Sequence, residues 1–442
     1  MNVLKRKIEK DLLAWKNNKG KKTPLVIRGC RQCGKTFIVK KFAEENYENV
    51  VYINFLENKD YNDVFKNSLN VDELVKLISS LTGNKVKIEP EKTVLIFDEI
   101  QECPDARASL KFFKEDGRYD VISTGSLLGI KGYKDSPRSI PVGAEEIIKM
   151  FPLDFEEFLW ANGIGEDIIL ELKGNLNKEL QVNQVLHNRL RKLLLEYISV
   201  GGMPNVVNEF LATNDMGNVL KAQRDILDTY KDDMIKYAEN RDKVLLRECF
   251  ESIPKQLSKE NKKFQYSLVK KGGTASRFLG VIQWIEDAGI INRCYNLNNL
   301  ELPLAGNSMR DVFKIYMEDI GLLIAMLDDG TAFDILKGNL YTYKGAIFEN
   351  FIAGTFSKLN KNLYYFHKDS GLEIDFVMRY KGQSTLIEVK ATTGKSKSLK
   401  TILNDKEKYH INSAIKIGDY NIGRSGEILT IPSYMAFMLD EV

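Results

Sequence analysis

The amino-acid sequence predicts an α/β protein built from several folding units, and three observations support this fold class. A glycine-rich loop lies between an apolar strand and a helix near the N-terminus. A second apolar strand ends in two carboxylates, and near the C-terminus a helix is followed by three strand-like segments. Strands that alternate with helices are typical of α/β domains. With 442 residues, the chain exceeds the size at which a single hydrophobic core stops growing, roughly 250 to 300 residues.

Composition and charge exclude several classes of protein. The chain is 43% hydrophobic and 28% charged, as in ordinary globular proteins, and its net charge of +3 gives no global attraction for polyanions. It has no apolar run of about 18 residues that would predict a membrane span, and residues 1–10 lack the apolar centre of a signal peptide. Five cysteines in a chain of this length predict no disulfide framework, so a cytoplasmic location is expected.

The first motif is the glycine-rich loop at residues 29–36. The preceding residues 24–28 predict a buried parallel strand, and a helical pattern begins at Phe37. The loop matches G-x-x-x-x-G-K-T, the Walker A motif, which requires a strand before it and a helix after it. The residues expected to contact a nucleotide are Gly29, Cys30, Arg31, Gln32, Cys33, Gly34, Lys35 and Thr36. The C-x-x-C spacing inside this loop is interpreted as small residues filling loop positions rather than as a redox pair.

Each residue type in the loop has a chemical reason. Gly29 and Gly34 let backbone N–H groups turn toward phosphate oxygens, and the helix that follows adds the positive end of its dipole. Lys35 is expected to bind the β and γ phosphates of ATP, and Thr36 to offer its hydroxyl to Mg²⁺.

The second motif is an apolar strand, residues 93–97, that ends in Asp98 and Glu99. This pattern is a Walker B signature. Asp98 is expected to hold Mg²⁺, directly or through water, and Glu99 to orient and deprotonate the attacking water. A plain strand end is the alternative, but the nearby Walker A motif favours the catalytic interpretation.

A further strand, residues 120–123, runs into Thr124-Gly125-Ser126. A polar side chain at the end of this strand resembles the sensor position of AAA-type ATPases, which detects the γ-phosphate, and either Thr124 or Ser126 could fill that position. Three arginines are candidates for stabilising charge at the phosphates, although each could equally be surface charge: Arg107, Arg118 and Arg138.

The middle of the chain predicts two helical segments. Residues 159–255 are expected to form a helical lid, and residues 256–305 hold a short helix, a glycine break, a second helix and a strand. This order is the outline of a winged helix. A DNA-binding interpretation places three basic residues against phosphates: Lys270, Lys271 and Arg277. The alternative is an interdomain or protein-binding module that never contacts DNA.

The C-terminal region predicts a nuclease-like arrangement. A helix at residues 345–359 carries Glu349, and three strands follow it at residues 363–366, 373–378 and 385–390. Glu388 and Lys390 share a face of the last strand because residues two apart point the same way. With Asp375 on the preceding strand, the set matches the PD-(D/E)XK constellation of restriction-endonuclease-like domains.

In that constellation Asp375 and Glu388 would hold Mg²⁺, and Glu349 would complete the carboxylate shell. Lys390 would position the attacking water or stabilise the phosphate in the transition state. Further lysines would favour a polyanion nearby: Lys395, Lys397 and Lys400. The alternative is an inactive domain, retained to bind nucleic acid or protein.

With these motifs placed, the chain resembles a widespread prokaryotic group of AAA-type ATPases whose long C-terminal region has no defined function. The residues that carry the resemblance are G-C-R-Q-C-G-K-T (29–36), F-D-E-I-Q (97–101), T-G-S (124–126), F-P-L-D-F-E-E-F-L (151–159), G-G-M-P (201–204), Y-M-E-D-I-G-L-L (316–323) and Y-K-G-A-I-F-E-N (343–350). The resemblance implies an AAA core followed by a lid. It also implies that a homo-oligomer could supply an arginine to a neighbouring site.

These inferences divide the chain into an ATPase core (1–158), a helical lid (159–255), a winged-helix-like segment (256–305) and a nuclease-like domain (306–442). The first functional hypothesis is an enzyme in which ATP controls a nuclease-like domain that acts on DNA or RNA, with DNA favoured over RNA. The alternative is a nucleotide-dependent switch that binds DNA or a partner protein and does not cut. ATP and Mg²⁺ are the expected cofactors under both hypotheses.

Overall fold

The computed structural model describes the chain over residues 3–18, 20, 22–83, 87–126, 143–237, 242–259, 262–339, 343–391 and 396–440. The described chain divides into two compact units. The first unit comprises Lys5–Pro152 with Asp287–Gly289, and the second comprises mainly Leu153–Glu286 and Ile290–Val442. Arg138 and Lys395, named above as candidate functional residues, lie outside the described residues. No helix in the described part is long and apolar enough to cross a membrane.

The first unit is an α/β layer structure. Its elements are α1 (Ile8–Lys16), β1 (Leu25–Arg28), α2 (Lys35–Asn46), β2 (Asn49–Asn54), α3 (Asp60–Asn67), α4 (Val71–Leu81), β3 (Thr93–Asp98), α5 (Pro104–Asp116), β4 (Asp120–Gly125) and β5 (Glu146–Lys149). The strands form a parallel sheet in the order β2-β3-β4-β1-β5. Parallel strands buried on both faces are apolar along their whole length, and every residue of β3 is buried.

One face of this sheet packs against α3, α4 and α5. Val26, Leu95 and Phe97 of the strands join Leu74 and Leu110 of the helices in one buried cluster. Four phenylalanines of the same layer meet edge to face, with ring centroids 5.5 to 6.0 Å apart: Phe55, Phe65, Phe97 and Phe113. This packing holds β3 between β2 and β4, and β3 ends at Asp98, directly before Glu99.

The second unit contains the remaining elements. Its helices are α6 (Phe155–Ala161), α7 (Glu166–Lys178), α8 (Gln184–Val200), α9 (Pro204–Thr213), α10 (Met216–Tyr237), α11 (Lys243–Glu251), α12 (Ile253–Leu257), α13 (Tyr266–Val269), α14 (Ala275–Asp287), α15 (Ile320–Ala325), α16 (Thr331–Leu336), α17 (Lys344–Lys358), α18 (Lys397–Asn404) and α19 (Lys406–Tyr409). Its strands are β6 (Ile291–Leu297), β7 (Ser308–Met317), β8 (Leu363–His367), β9 (Glu373–Ile374), β10 (Phe376–Tyr380), β11 (Gln383–Lys390), β12 (Ala414–Gly418), β13 (Gly423–Ser425) and β14 (Ile428–Pro432).

These strands form two sheets in the described part of the second unit. One has the order β7-β6-β8-β9, and the other has the order β10-β11-β12-β14-β13. Strand β11 pairs antiparallel with β10 and parallel with β12. Helix α17 followed by β8 and β11 matches the predicted order of the nuclease-like region, but the predicted strand at residues 373–378 is two strands, β9 and β10, which belong to different sheets. A restriction-endonuclease-like fold stays a prediction.

The predicted winged-helix segment has the expected helices and strand, but the strand pairs with strands beyond the segment. Strand β6 pairs antiparallel with β7 and parallel with β8, which lies beyond the predicted boundary at residue 305. The segment therefore shares a sheet with the C-terminal region. The winged helix and the four-part division of the chain stay predictions.

Several of the recognised motifs are packing motifs of the second unit. Asp154 and Glu157 of F-P-L-D-F-E-E-F-L form a capping box at the start of α6. The carboxylate of Asp319 accepts hydrogen bonds from the backbone N–H groups of Gly202 at 2.7 Å and Leu322 at 3.0 Å. A Cβ at Gly202 would lie 2.0 Å from the Leu153 carbonyl oxygen, so only glycine fits. These contacts bring three motifs together without any catalytic role.

Candidate functional site

The glycine-rich loop joins β1 to α2. Gly34 caps α2 in the left-handed region, with φ of 97°, and Gln32 also has a positive φ of 62°. A Cβ at Gly29 would lie 2.1 Å from the Met150 carbonyl oxygen, so the loop tolerates no side chain there. The backbone curls as a phosphate-binding loop requires.

Lys35 is held by the loop itself. Its Nζ donates to the carbonyl oxygens of Gly29 at 3.0 Å and Cys30 at 2.7 Å. Arg6 holds the same loop from outside, because its guanidinium donates to the Cys33 carbonyl at 3.0 Å and to the Phe151 carbonyl. The Lys35 ammonium is therefore already at the loop, where phosphate oxygens would replace the carbonyls as its acceptors.

Cys30 and Cys33 are buried free thiols. A hydrogen bond from Cys30 lowers the pKa of the Cys33 thiol to about 6, helped by the charges of Lys35 and Arg6 and opposed by burial. The Cys33 Sγ also lies 3.7 Å from the Met150 carbonyl oxygen. These two side chains fill the space beneath the loop, as the loop-filling interpretation requires.

The carboxylate of Asp98 gathers the hydroxyl groups of three elements. Its oxygens accept from Thr36 Oγ1 at 3.1 and 3.0 Å, from Tyr52 Oη at 2.7 Å, and from Thr124 Oγ1. Burial and this hydrogen bond raise the pKa of Tyr52 above its ordinary range. Ser126 does not join the group, and its buried Oγ has no hydrogen-bond partner among the described residues. Of the two sensor candidates, Thr124 is the one in contact with the Walker B carboxylate.

Glu99 stands next to this group in an unusual conformation. Its backbone is left-handed, with φ of 53° and ψ of 43°, which is uncommon for a residue with a side chain. Its carboxylate accepts a hydrogen bond from the side-chain amide of Gln101.

The C-terminal carboxylates are placed by α17 and the strands beside it. Glu349 is 3% exposed and accepts hydrogen bonds from Lys314, Lys262 and the Tyr316 hydroxyl. The Lys314 Nζ lies 3.1 Å from Glu349 Oε1 and 2.7 Å from Glu373 Oε1. Burial alone would raise the pKa of Glu349, but the charges of Lys262 and Lys314 hold it well below its usual range.

Asp375 lies between β9 and β10, beside the end of β11. Its Oδ2 accepts from the Val389 N–H at 2.7 Å. Burial, and then the negative charge of Glu349, raise the pKa of Asp375 to about 7. On β11, Glu388 Oε1 pairs with Lys390 Nζ at 2.5 Å, while the buried Glu388 Oε2 has no hydrogen-bond partner in the described chain. The structure thus places Glu388 and Lys390 on β11 and Asp375 directly before the neighbouring strand β10, while Glu349 pairs with Lys262 and Lys314.

Comparison with known protein families divides the chain into three regions. Residues 21–159 match the family described as AAA domain. The first unit contains an AAA-type P-loop ATPase domain. Residues 191–332 and 344–434 match two families described only as domains of unknown function, DUF8612 and DUF4143.

The chain is also similar to solved structures at low identity. A Walker-type ATPase of Pyrococcus abyssi is 14% identical, with a TM-score of 0.40 over 73% of this chain and 96% of that one. The ORC2 protein of Aeropyrum pernix, in ADPNP–ADP complexes, is 12% identical, with a TM-score of 0.36 over 77% and 95%. AMPPCP-bound DnaA of Aquifex aeolicus is 13% identical, with a TM-score of 0.26 over 65% and 90%. Similarity this low says nothing about the activity of this chain, and no curated protein matches it.

Two of the candidate arginines are engaged within the ATPase domain's own unit. The guanidinium of Arg107 forms a buried two-point ion pair with Glu145, at 2.7 and 2.9 Å. Arg118 pairs with Asp116 and Asp72. Arg107 is therefore a buried structural residue rather than surface charge. An arginine supplied by a second copy stays a prediction.

The two predicted magnesium sites differ in whether their oxygen atoms are already paired with positive charges. In the ATPase domain, Thr36 and Asp98 are in contact and supply the hydroxyl and carboxylate oxygens that Mg²⁺ prefers. In the second unit, Lys262, Lys314 and Tyr316 occupy the Glu349 oxygens. Across the described residues, no group of three or more His, Cys, Asp or Glu side chains is arranged to hold a metal ion. The role of Glu349 as a metal ligand stays a prediction.

Seven residues that the sequence analysis did not single out take part in these contacts, and all but Gln101 reach their partner from a distant segment. They are Arg6, Tyr52, Gln101, Lys262, Lys314, Tyr316 and Glu373. Gln101 is the exception in spacing, since it lies two residues after Glu99 within the recognised F-D-E-I-Q block. Of these seven residues, Gln101 is the one that the sequence could have indicated, because it is a polar residue two positions after Glu99 in a recognised motif.

Proposed function

We propose that the chain binds ATP with Mg²⁺ and hydrolyses it at the ATPase domain. The observation that supports this best is the contact between Thr36 and Asp98, because it joins the Walker A hydroxyl to the Walker B carboxylate. In this proposal the ammonium of Lys35 leaves the Gly29 and Cys30 carbonyls and neutralises charge on the β and γ phosphates.

The other side chains of the site have separate roles in the proposed ATP hydrolysis. Bound Mg²⁺ would neutralise charge on the phosphate oxygens, and Thr36 and Asp98 are the residues that would hold it. Glu99 takes a proton from the attacking water, which is the role of a general base. Thr124, through its contact with Asp98, reports the occupancy of the γ-phosphate position.

Lys35→Ala should weaken ATP binding by about 10- to 100-fold, because each hydrogen bond to a charged group contributes roughly 1.5 to 3 kcal/mol. Titration with a fluorescent ATP analogue would measure the affinity. Lys92→Ala is the matched control, since Lys92 is an exposed lysine of the same unit that pairs with Glu48. Equal affinities for wild type and Lys35→Ala would contradict the assignment of the nucleotide site.

We further propose that nucleotide state controls the second unit, and that this unit acts on nucleic acid, DNA in preference to RNA. The positions of Glu388 and Lys390 on β11, and of Asp375 directly before the paired strand β10, support this proposal. The second unit also has a cavity of about 390 Å³, whose lining includes Phe348 and Ala391. Its lining includes three basic side chains that would favour a phosphate backbone: Arg191, Lys192 and Lys344.

A second candidate function is a switch that binds a partner and does not cut. The observation that favours it is the occupation of Glu349 by Lys262 and Lys314, which leaves the predicted carboxylate shell incomplete. Under this proposal the second unit binds DNA or a partner protein. The predicted DNA contacts of the middle segment are partly engaged, because Lys270 pairs with Glu248 at 2.9 Å.

Cleavage of mixed DNA and RNA substrates, with Mg²⁺ or Mn²⁺ and with or without ATP, separates the two proposals. If the second unit cuts, Asp375→Asn should reduce cleavage by at least about 100-fold, as expected for loss of a group that stabilises the transition state. Asp369→Asn is the control, because Asp369 is an exposed aspartate in the turn before β9. Absence of cleavage by wild type, with ATP hydrolysis intact, would favour the switch.

A further inference from the structure

Within the described part of the chain, the side-chain amide of Gln101 is hydrogen-bonded through its nitrogen but not through its oxygen. Gln101 lies in the short 3₁₀ turn Ile100–Glu102 directly after β3 and is 5% exposed. Its Nε2 donates to the Glu99 carboxylate, while its Oε1 is buried without a hydrogen-bond partner among the described residues. A buried acceptor left unpaired costs free energy, so an apolar side chain of similar size would suit this place better if packing were its only task.

The backbone beside it is also constrained. Glu99 has a left-handed conformation, and the turn is closed by a hydrogen bond of 2.9 Å from the Glu102 N–H to the Glu99 carbonyl. Strain of this kind persists where the surrounding structure determines it, and it concentrates at functional sites. The Glu99 N–H donates to Asp98 Oδ1 at 3.2 Å, so the backbone of Glu99 is tied to the Walker B carboxylate. Its side chain is tied to Gln101.

We propose that Gln101 is a positioning residue for ATP hydrolysis, whose amide N–H holds the Glu99 carboxylate toward the attacking water. This inference rests on the proposed hydrolysis at the ATPase domain. A carboxylate on a side chain with three rotatable bonds can take many orientations, and a general base acts only within hydrogen-bond reach of the proton it removes. The Gln101 amide selects one orientation, and the left-handed backbone selects where the side chain begins.

The test measures kcat and KM for ATP in the full chain, for wild type, Gln101→Met, Gln101→Glu, Glu99→Gln and the double variant Gln101→Met with Glu99→Gln. Met has nearly the volume of Gln and removes the unpaired acceptor, so Tm should be retained. We expect Gln101→Met to lower kcat by about 10- to 100-fold with KM and ATP affinity unchanged, since misplacement of a catalytic group by about 1 Å costs on the order of 100-fold. Gln101→Glu keeps the shape and loses the donor, and its kcat should fall at least as far.

The double variant shows whether Gln101 acts through Glu99. If it does, Gln101→Met should cause no further loss of kcat once Glu99 is Gln. Unchanged kcat in Gln101→Met, or a full additional loss in the double variant, would overturn the positioning role. If wild type hydrolyses ATP and Glu99→Gln does not, but both Gln101 variants match wild type, this inference alone is wrong. If wild type itself fails to hydrolyse ATP, the proposed function falls with it.

Discussion

Glu99→Gln should lower kcat for ATP hydrolysis by roughly 100- to 10,000-fold while ATP binding persists, because general-base catalysis contributes a factor of about that size. The side chain keeps its length and one oxygen, but an amide takes no proton from water. Asp98, Thr36 and the Walker A loop are unchanged, so the phosphate contacts remain. Steady-state hydrolysis and equilibrium binding of a fluorescent ATP analogue, measured on the same preparation, would separate the two effects.

The control for this variant is Glu115→Gln, which makes the same change at an exposed position of α5. It should leave both hydrolysis and binding as in wild type. If Glu99→Gln lost ATP binding as well, Glu99 would have a structural role in the loop. If it retained full hydrolysis, another group would be the base and the assignment from the Walker B pattern would be wrong.

The ATPase core could be predicted because its chemistry is contiguous in the chain. Gly29 to Thr36 form one loop, and Asp98 and Glu99 end one strand, so a linear pattern contains the whole motif. The expected strands at residues 24–28 and 93–97 correspond to β1 and β3. Contacts between elements were not predictable in this way. Tyr52 reaches Asp98 from the neighbouring strand β2, and no local pattern indicates which side chain of β2 lies there.

In the second unit, most of the order of helices and strands was predictable, but the ion-pair partners of Glu349 were not. Glu388 and Lys390 lie two residues apart on one strand, and Asp375 lies directly before the neighbouring strand. Both strands can be recognised from the sequence pattern. The partners of Glu349 come from Lys262 and Lys314, 87 and 35 residues away, so only the fold brings them together. The sequence predicts Glu349 as a metal ligand, which stays a prediction, and it gives no sign of the two ammonium groups that contact this carboxylate in the structure.

Substitution of Lys314 should strongly lower the stability of the second unit. Lys314 is 1% exposed on β7, and its ammonium lies between Glu349 and Glu373. Burial alone would lower the pKa of Lys314, but the charges of Glu349 and Glu373 hold it above its ordinary value, so the ammonium stays charged. Lys314→Met removes this charge and leaves a buried carboxylate with only part of its compensation. Breaking a buried ion pair from one side costs about 3 to 5 kcal/mol, so the second unit should be destabilised by that order.

The same substitution at Lys270 is the matched control, because Lys270 pairs with Glu248 at a largely exposed position of the same unit. An exposed pair contributes at most about 1 kcal/mol, so Lys270→Met should barely change the unfolding transition. Thermal and urea unfolding of the full chain, followed by circular dichroism, would measure both variants beside wild type. Equal stability of Lys314→Met and Lys270→Met would mean that Glu349 is not held by Lys314 in solution. Glu349 would then be free to complete the carboxylate shell, which would strengthen the nuclease proposal over the switch.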